Sequence, residues 1–548
     1  MRQTAMLMLL LASGLTGARR AEGQDSVTAA VHFIVRTGRL PWARWPDFAR
    51  YRDVVNRLYE AEPDGSIWLD HTGISSRASA AIAALLAAGE HGLDPRDYDA
   101  ETLDRVARHS VRAPLNAVDR ARFDLLLSVN LLRFLDDLRS GRLHPGTFDR
   151  EESRSLSPTF ADAVKEALAG DSLPQLLAGV APQLAQYRNL QRLLSRYRTM
   201  AADSSLSPLP STSPVHPGAD YPGVIGLRRR LAALGDLPAD SAFGPGEVYG
   251  EAEADAVRRF QRRHGLEADG VLNSATVAAI NTPFQQRARQ IELALERLRW
   301  LPPIRGQRFL VVNIPGFQLF AFDSAGGSGV PGLGMRVIVG KALDTRTPVM
   351  LEQLRYVEFR PYWNVPRSIA VDEIVPLMQR NTRYLQENDM ELVGPGDRVV
   401  GSLVSFELLD QLNRGELWIR QRPGPRNSLG LVKFVFPNSA SVYLHGTPRT
   451  ELFTHTRRDF SHGCIRVEDP TALAAWVLRD QPRWSRQEII AAQAGPATTR
   501  AWLTSPMPVI VFYTTAVAAP DGSAWFYADI YGHDRTLDEA LRAGPISP

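Results

Sequence analysis

Residues 459–470 read DFSHGCIRVEDP and contain Cys464, the only cysteine in a chain of 548 residues. Gly463 permits a tight backbone path before this cysteine, and CIRVE has the pattern of a short strand. Asp469 can then cap a helix that begins with Pro470. Because the surrounding residues are polar, we interpret the thiol as a nucleophile or a metal ligand rather than an inert core residue.

A candidate base lies upstream, where His445 ends the predicted strand SVYL and a Gly-Thr-Pro turn follows. A cysteine nucleophile needs a lowered pKa and a base in reach, and His445 can supply both. His462 can tune the thiolate or act as base instead, because alternate residues of an extended segment point the same way. We favour His445.

Other groups complete the candidate site. The backbone N–H groups of Gly463 and Cys464 can form an oxyanion hole. No Asp or Asn stands near His445 in sequence, so the carbonyl of Gly446 is the candidate that orients the imidazole. Arg466 is either a structural ion pair, with Glu468 or a distant acid, or a fork that binds a substrate carboxylate.

The predicted substrate contacts include aromatic residues. Tyr443 lies two residues before His445 on the same strand face, and Trp363 lies in RPYWNVP, where core packing is an equal alternative. The full predicted set of substrate-binding residues is Arg466, Tyr443, Gly446, Ser461 and Trp363.

Zinc is the competing interpretation of this cluster. The side chains of His445, His455, His462 and Cys464 can form a tetrahedral site. Their spacing matches neither a zinc finger nor the His-Glu-x-x-His helix, and no acidic residue stands where a metal-bound water needs a base. We interpret His455, in a polar loop, as solvated.

The composition indicates ordinary globular domains, with 44% hydrophobic residues, 22% charged residues and a net charge of +3. No basic stripe of a nucleic-acid binder is found. Arginine makes up nearly all of the basic residues, so the three lysines, among them Lys341 and Lys433, are retained against a strong bias.

The N-terminus has the order of a secretory signal peptide over 1–23: one charge, a short apolar core and small residues. A buried uncleaved helix is the alternative. We expect neither a lipoprotein anchor, because no cysteine follows, nor stable membrane insertion after cleavage. In an oxidising compartment a lone cysteine has no intrachain partner.

The first half of the chain has the spacing of helices. Residues 24–202 predict a helical scaffold domain, in which Gly92 and Gly141 follow apolar runs as stop signals do. A Ser/Pro-rich segment at 203–221 predicts an extended linker. Three short helical patterns at 222–283 then predict a small module or a generic spacer, with a connecting helix at 284–306.

From 307 to 545 the period becomes that of strands. RFLVVNIPGFQLFAFD predicts a hairpin about Pro315-Gly316, and further strands are expected in GMRVIVGK, RYVEFRPYW, LVKFVFP and SVYLHG. Residues 367–425 form a helical insertion typical of a lid, and 508–532 predict a closing hairpin with a turn at Asp521-Gly522. The predicted fold class is multidomain α+β: scaffold, module, and a mainly β catalytic domain with its insertion.

These strings resemble a known family. HGTP at a strand end followed by SHGCIRV is similar to the YkuD-type L,D-transpeptidase catalytic domain. VNIPGFQLF, VIVGK, PYWNVPRSIA and IRQRPGPRNSLGLVKFVFPN resemble its large periplasmic branch, which carries a scaffold, a peptidoglycan-binding module and a lid. RRFQRRHGLEADGVLNSATVAAIN resembles the peptidoglycan-binding domain of bacterial wall enzymes. Gly446 departs from that branch, which often has an acidic residue there.

The resemblance implies a specific chemistry. The Cys464 thiolate attacks the amide after the diamino acid of a stem tetrapeptide, and D-alanine leaves a thioester acyl-enzyme. The side-chain amine of another stem then gives a 3→3 cross-link, with one histidine acting as base and then acid. The resemblance also implies acylation by carbapenems and a periplasmic location. It implies no metal or organic cofactor; the partners are stem peptides, glycan strands and wall-synthesis enzymes that supply donor stems.

Two other function hypotheses stay open. With water as acceptor, the same Cys/His site gives an L,D-carboxypeptidase or a hydrolase that cleaves cross-links. A wall-binding scaffold with a secondary or dead site is the third hypothesis, and intact Cys464 and His445 argue against it.

Overall fold

The computed structural model describes most of the chain from residue 31 to residue 544. The described ranges are 31–60, 66–70, 73–143, 158–170, 172–211, 214–243, 246–304, 306–324, 329–403 and 405–544. The predicted signal peptide at 1–23 lies outside them. By its internal contacts the chain forms two compact units: unit 1 is Met1–Gln183, Leu295–Pro302 and Glu539–Pro548, and unit 2 is Leu184–Ala294 and Pro303–Asp538.

Unit 1 is helical, as predicted. Its helices are Arg52–Tyr59, Ser76–Leu86, Ala100–Ser110, Ala117–Ser140, Pro158–Ala169 and Leu173–Val180, with a small pair of strands, β1 (Leu69–Asp70) and β2 (Gly73–Ile74). The long helix begins where the Asn116 side chain accepts from Asp119 N–H, and it ends at Gly141, whose φ is 81°. The stop signal predicted at Gly141 is therefore confirmed.

A polar side chain organises the core of unit 1. Asp124, on a helix turn that is buried all round, accepts hydrogen bonds from the Tyr59 and Ser66 hydroxyls and from two backbone N–H groups. A buried carboxylate is tolerated only when its oxygens are paired in this way. Asp124 thereby fixes the loop at residues 66–68 to helix Ala117–Ser140.

Unit 2 begins with helix Ala185–Ala202 and the three predicted helices of the small module. The module helices are Val224–Leu234, Glu251–Arg263 and Ser274–Asn281, and helix Phe284–Arg299 follows. The buried Gln261 side chain donates to Asp269, Val271 and Thr276 and accepts from Gly270 N–H, so it holds the turn between the second and third helices.

The described part of the Ser/Pro-rich segment before the module contains short turns and packs on the module. Val215 bridges to Leu272, and Asp220 bridges to Val248. The Asn281 side chain bonds both the N–H and the carbonyl of Leu209. These backbone contacts hold the Ser/Pro-rich chain against the helices, although it has no secondary structure of its own.

The second half of unit 2 is built on a nine-stranded sheet. Its strands are β3 (Phe309–Asn313), β4 (Gln318–Phe322), β5 (Leu333–Gly340), β6 (Met350–Phe359), β11 (Val432–Val435), β12 (Leu444–His445), β13 (Asp459–Ser461), β14 (Ile465–Val467) and β15 (Thr499–Phe512). Their order is β13-β5-β14-β12-β11-β6-β15-β3-β4. Because β4 also pairs with β5, eight of these strands close into a barrel and β13 lies outside it.

Helices Pro470–Leu478 and Arg486–Ala494 pack against barrel strands, and helix His533–Ala543 follows near the end of the chain. The first begins as predicted: the Asp469 side chain accepts from Ala472 N–H at 2.8 Å, with Pro470 in the first turn. This cap fixes the chain directly after β14, on which the site depends.

The predicted insertion contains a sheet as well as helices. Its strands β7 (Trp363–Asn364), β8 (Met390–Gly394), β9 (Arg398–Gly401) and β10 (Trp418–Gln421) lie in the order β7-β10-β8-β9. The helical segments are Arg367–Ile369, a π-helical turn at Ala370–Ile374, Val375–Arg380, Tyr384–Glu387 and Phe406–Arg414. The insertion has its own apolar core, and we refer to residues 363–421 as the lid.

Of the two predicted hairpins, the one about Pro315-Gly316 is confirmed and the one over 508–532 is corrected. β3 and β4 pair antiparallel about the turn that contains Pro315-Gly316. At the C-terminal end, the predicted first strand is the last part of β15, which pairs with β6 and β3 in the barrel. A smaller hairpin of β16 (Ala516–Ala518) and β17 (Ala524–Phe526) forms about the Asp521-Gly522 turn.

Among the described helices, none is both long and apolar enough to cross a membrane.

Candidate active site

The register of two parallel strands brings the two halves of the site together. His445 on β12 lies opposite Arg466 on β14, and Leu444 lies opposite Ile465. Cys464 directly precedes β14, and the N–H of Ile465 donates to the carbonyl of Tyr443 at 3.1 Å. The loop that carries the thiol is thus fixed beside the strand that carries the imidazole.

His445 is oriented by the main chain. Its Nδ1 lies 2.6 Å from the carbonyl oxygen of Gly446. A carbonyl only accepts, so Nδ1 carries the proton and the lone pair of the neutral ring is on Nε2. The structure confirms the Gly446 carbonyl as the orienting group.

The same imidazole is buried, with 4% exposure. Burial, together with the charges of Arg466 and Lys433, lowers the pKa of His445 to about 3, although hydrogen bonding to the backbone of Gly446 and Leu429 acts against this shift. The ring is therefore neutral at neutral pH and available as a base.

The thiol of Cys464 is half-buried, with Sγ 3.9 Å from the carbonyl oxygen of Ser441. Burial raises the pKa of this thiol, while hydrogen bonding with Tyr443 and the charges of Lys433 and Arg466 act against that rise. The sequence predicted a lowered pKa, and the structure gives the opposite direction because desolvation outweighs the cations. The resting pair is accordingly a neutral thiol and a neutral imidazole.

The loop before Cys464 is closed by one hydroxyl. Ser461 Oγ donates to the carbonyl of Cys464 at 2.5 Å and accepts from Gly463 N–H at 3.2 Å. Gly463 has a φ of 110°, which favours glycine. The predicted oxyanion donor at Gly463 is therefore already engaged, whereas the N–H of Cys464 donates to no acceptor in the described part of the chain.

Residues that the sequence did not single out hold this loop from the far side. Thr347 Oγ1 donates to the carbonyl of Gly463 at 2.8 Å and accepts from the N–H of Gly340 at the same distance. The Tyr531 hydroxyl donates to the carbonyl of Gly340 at 2.6 Å.

The structure gives His462 a partner from the lid. Its Nε2 lies 2.6 Å from Oε1 of Glu373, in the π-helical turn. A carboxylate accepts, so Nε2 carries a proton and is engaged away from the thiol. This geometry favours His445 over His462 as the base, and Glu373 is a residue that sequence reasoning missed.

Arg466 is not a structural ion pair with Glu468. Glu468 instead pairs with Arg336, whose Nε donates at 2.9 Å. The Nε of Arg466 is buried and has no hydrogen-bond partner among the described residues. A buried donor without a partner is costly unless a ligand or water meets it.

The two aromatic candidates lie in different places. The Tyr443 ring makes an edge contact with His445, with centroids 5.6 Å apart, so it lies in the site. Trp363 pairs with Gln421 in the lid sheet and packs against the lid core. It belongs to the lid, and its contact with substrate stays a prediction.

The four residues of the zinc alternative are not grouped. The rings of His455 and Phe460 make an edge contact in an exposed loop, and His445 and His462 have the partners given above. Within the described ranges, no set of three or more His, Cys, Asp or Glu side chains is arranged to hold a metal ion.

Three family models match the chain. The L,D-transpeptidase catalytic domain of the YkuD family matches residues 307–510. A "putative peptidoglycan binding domain" matches residues 220–280, and a scaffold domain matches residues 53–194. The first match contains Cys464, His445 and the other candidate site residues described above, except Tyr531.

Two curated proteins are similar to parts of the chain. A "putative L,D-transpeptidase" of Haemophilus influenzae is 32% identical over 253 residues, which is 46% of this chain and 49% of that protein. The N-acetylmuramoyl-L-alanine amidase CwlL of Bacillus licheniformis is 42% identical over 82 residues, 14% of this chain and 22% of that protein. The chain thus spans about half the length of the first relative and less of the second.

The family models therefore assign three domains in chain order: a scaffold domain, a peptidoglycan-binding domain and a YkuD-family L,D-transpeptidase catalytic domain.

Proposed function

We propose that the protein is a peptidoglycan L,D-transpeptidase that forms 3→3 cross-links through an acyl-enzyme on Cys464. The observation that carries the proposal is the pairing of β12 with β14, which sets the thiol beside a neutral, oriented His445 inside the matched catalytic domain.

The first half-reaction consumes a stem tetrapeptide. Nε2 of His445 takes the thiol proton as sulfur attacks the carbonyl carbon between the diamino acid and the terminal D-alanine. The N–H of Cys464 is the donor for the resulting oxyanion. The carbon–nitrogen bond then breaks, and the imidazolium returns its proton to the amine of the leaving D-alanine, so a thioester remains.

The second half-reaction consumes the side-chain amine of a second stem. The amine attacks the thioester carbon while His445 accepts one of its protons. The carbon–sulfur bond then breaks, sulfur takes the proton back, and an amide joins two diamino acids. The proton count balances, and the enzyme returns to the neutral thiol and neutral imidazole from which it started.

Two features support a substrate rich in carboxylates. Arg466 presents a buried Nε without a described partner next to His445, and a guanidinium binds a carboxylate through two parallel bonds. The module matched as peptidoglycan-binding supports glycan strands as the anchoring partner. We place the reaction in the periplasm, where this substrate lies.

The test is to incubate the protein with a disaccharide-tetrapeptide and analyse the products by mass spectrometry. Cross-linked dimer that disappears in Cys464→Ala is expected. Tripeptide alone indicates that water is the acceptor, as in a carboxypeptidase. Retention on peptidoglycan without either product indicates a wall-binding scaffold, and product from Cys464→Ala overturns the nucleophile.

A further inference from the structure

One lysine lies in the site without a role in the reaction above. Lys433, on β11, is opposite His445 in the antiparallel pair with β12, so the two side chains share one sheet face. Its Nζ lies 3.9 Å from the centre of the Tyr443 ring. Within the described part of the chain, its ammonium forms no ion pair with a carboxylate within 4.0 Å.

Lys433 belongs to a row of polar residues that lie opposite one another on neighbouring strands of the barrel. Arg500 on β15 is opposite Glu358 on β6, Glu358 is opposite Lys433, Lys433 is opposite His445, and His445 is opposite Arg466. Arg500 Nε donates to Glu358 at 2.6 Å, which neutralises that carboxylate from the other side. Glu358 thus lies between Arg500 and Lys433, and both Glu358 and Cys464 favour the charged form of the lysine.

A cation on the face of a phenol ring has a chemical consequence. It withdraws electron density from the ring, and the phenolic hydroxyl becomes a stronger hydrogen-bond donor. Burial lowers the pKa of Lys433, and the nearby groups that act against this are Glu358 and Cys464. The lysine and the thiol are therefore electrostatically coupled.

We propose that Lys433 is a positioning residue: its ammonium, seated on the Tyr443 ring, stabilises the Cys464 thiolate through that ring and through space. This proposal rests on the proposed function in one respect, namely that Cys464 is the nucleophile. The polar groups that act on the thiol are Tyr443, directly before β12, Lys433 from β11 and Arg466 from β14. His445 on β12 lies opposite both Lys433 and Arg466 in the sheet.

The site offers a direct measurement, because the chain has a single cysteine and iodoacetamide reports on one thiol. The alkylation rate is measured against pH without any peptide for wild type, K433M, K433Q and K433R. An opposite charge at short range shifts a pKa by about 1 unit or more. We expect the apparent thiol pKa to rise by about 1 unit in K433M and K433Q, with recovery in K433R.

Two further variants separate this role from a structural one. K165M, at an exposed lysine of unit 1, is the matched control and should leave the profile unchanged. In the Y443F background K433M should shift the pKa less, because the hydroxyl that transmits part of the effect is absent. Circular dichroism selects the folded variants, and K433Q replaces K433M if the latter does not fold.

An unchanged thiol pKa in a folded K433M or K433Q overturns the proposal, as does an equal shift in K165M. A shifted pKa in a protein that gives no peptidoglycan product leaves Lys433 in its role while the proposed function fails. Normal cross-linking by a Lys433 variant whose thiol pKa is unshifted means that the proposed function holds and the role of Lys433 fails.

Discussion

Burial acts in opposite directions on the two reacting residues. It lowers the pKa of His445 and raises that of Cys464, so both neutral forms are favoured at neutral pH. Many cysteine nucleophiles instead rest as a thiolate beside an imidazolium. In the proposed reaction the thiol proton therefore moves to Nε2 of His445 at the time of attack.

This pair predicts a thiol whose reactivity rises with pH. Because the pKa of Cys464 is raised, the thiolate fraction grows above the ordinary thiol range, about pH 8.5, and is small at pH 6. The alkylation rate of the wild-type protein should increase steadily from pH 6 to 9. A rate that is already maximal at pH 6 would indicate a resting ion pair.

The two histidines predict different losses on substitution. His445→Gln removes the base and should lower kcat about 100-fold or more. His462→Gln removes only the contact with Glu373 and should change kcat less than tenfold. Steady-state D-alanine release measures both variants, and a larger loss for His462→Gln contradicts the assignment of His445 as base.

The sequence predicted the hydrogen-bond partners of the site residues where the two partners are close together in the chain. The carbonyl of Gly446 adjoins His445, and the cap at Asp469 acts within one helical turn. The contact of His462 with Glu373 spans 89 residues, and that of Thr347 with Gly463 spans 116. Such long-range partners depend on the closed barrel and leave no local pattern.

The end of strand β5 supports the loop that carries Cys464. Adding a Cβ to Gly340 would place it 1.9 Å from the carbonyl oxygen of Thr345, so the turn tolerates only glycine. Thr347, 1% exposed, bridges this turn to Gly463. The loop that carries Cys464 is therefore supported by a strand distant in sequence.

Thr347→Val tests that support. The variant leaves a buried N–H and a buried carbonyl without a partner, which costs about 1–3 kcal/mol for each group. We expect a lower Tm and slower acylation of Cys464. Thr454→Val, at an exposed hydroxyl that bonds locally to Glu451, is the matched control. Equal stability of the two variants contradicts the role of Thr347.

The sheet of the lid was not predicted from the sequence. The lid strands β7 and β10 have two and four residues, too few for an alternating pattern to stand out. The lid helices and the module helices follow clear three-and-four spacing, and they were predicted. The barrel strands were expected, but their closure follows from the β4–β5 pairing, which no local pattern encodes.

At the scale of the whole molecule, unit 2 joins the module to the catalytic domain around one side chain. Phe526 on β17 is 1% exposed, and its ring contacts Tyr197 at 5.3 Å and His264 at 5.8 Å between centroids. Arg263 also donates to the carbonyl of Ala524 at 2.6 Å. The peptidoglycan-binding module is therefore packed on the catalytic domain rather than attached by a free tether.

Phe526→Ala should loosen this packing. Removing a buried phenylalanine costs about 3–5 kcal/mol. We expect one unfolding transition of unit 2 to separate into two in calorimetry, with faster hydrogen exchange in helix Glu251–Arg263. Phe406→Ala, at a side chain that is 93% exposed, is the control. Unchanged exchange in that helix contradicts the packing role.

Whether Cys464 carries the acyl group is measured by mass spectrometry of the digested protein. The protein is mixed with a stem tetrapeptide without acceptor, quenched in acid and digested. We expect the fragment that contains Cys464 to carry the tetrapeptide without its terminal D-alanine. This adduct should form much more slowly in His445→Gln. An adduct on another residue, or turnover by Cys464→Ala, would contradict this expectation.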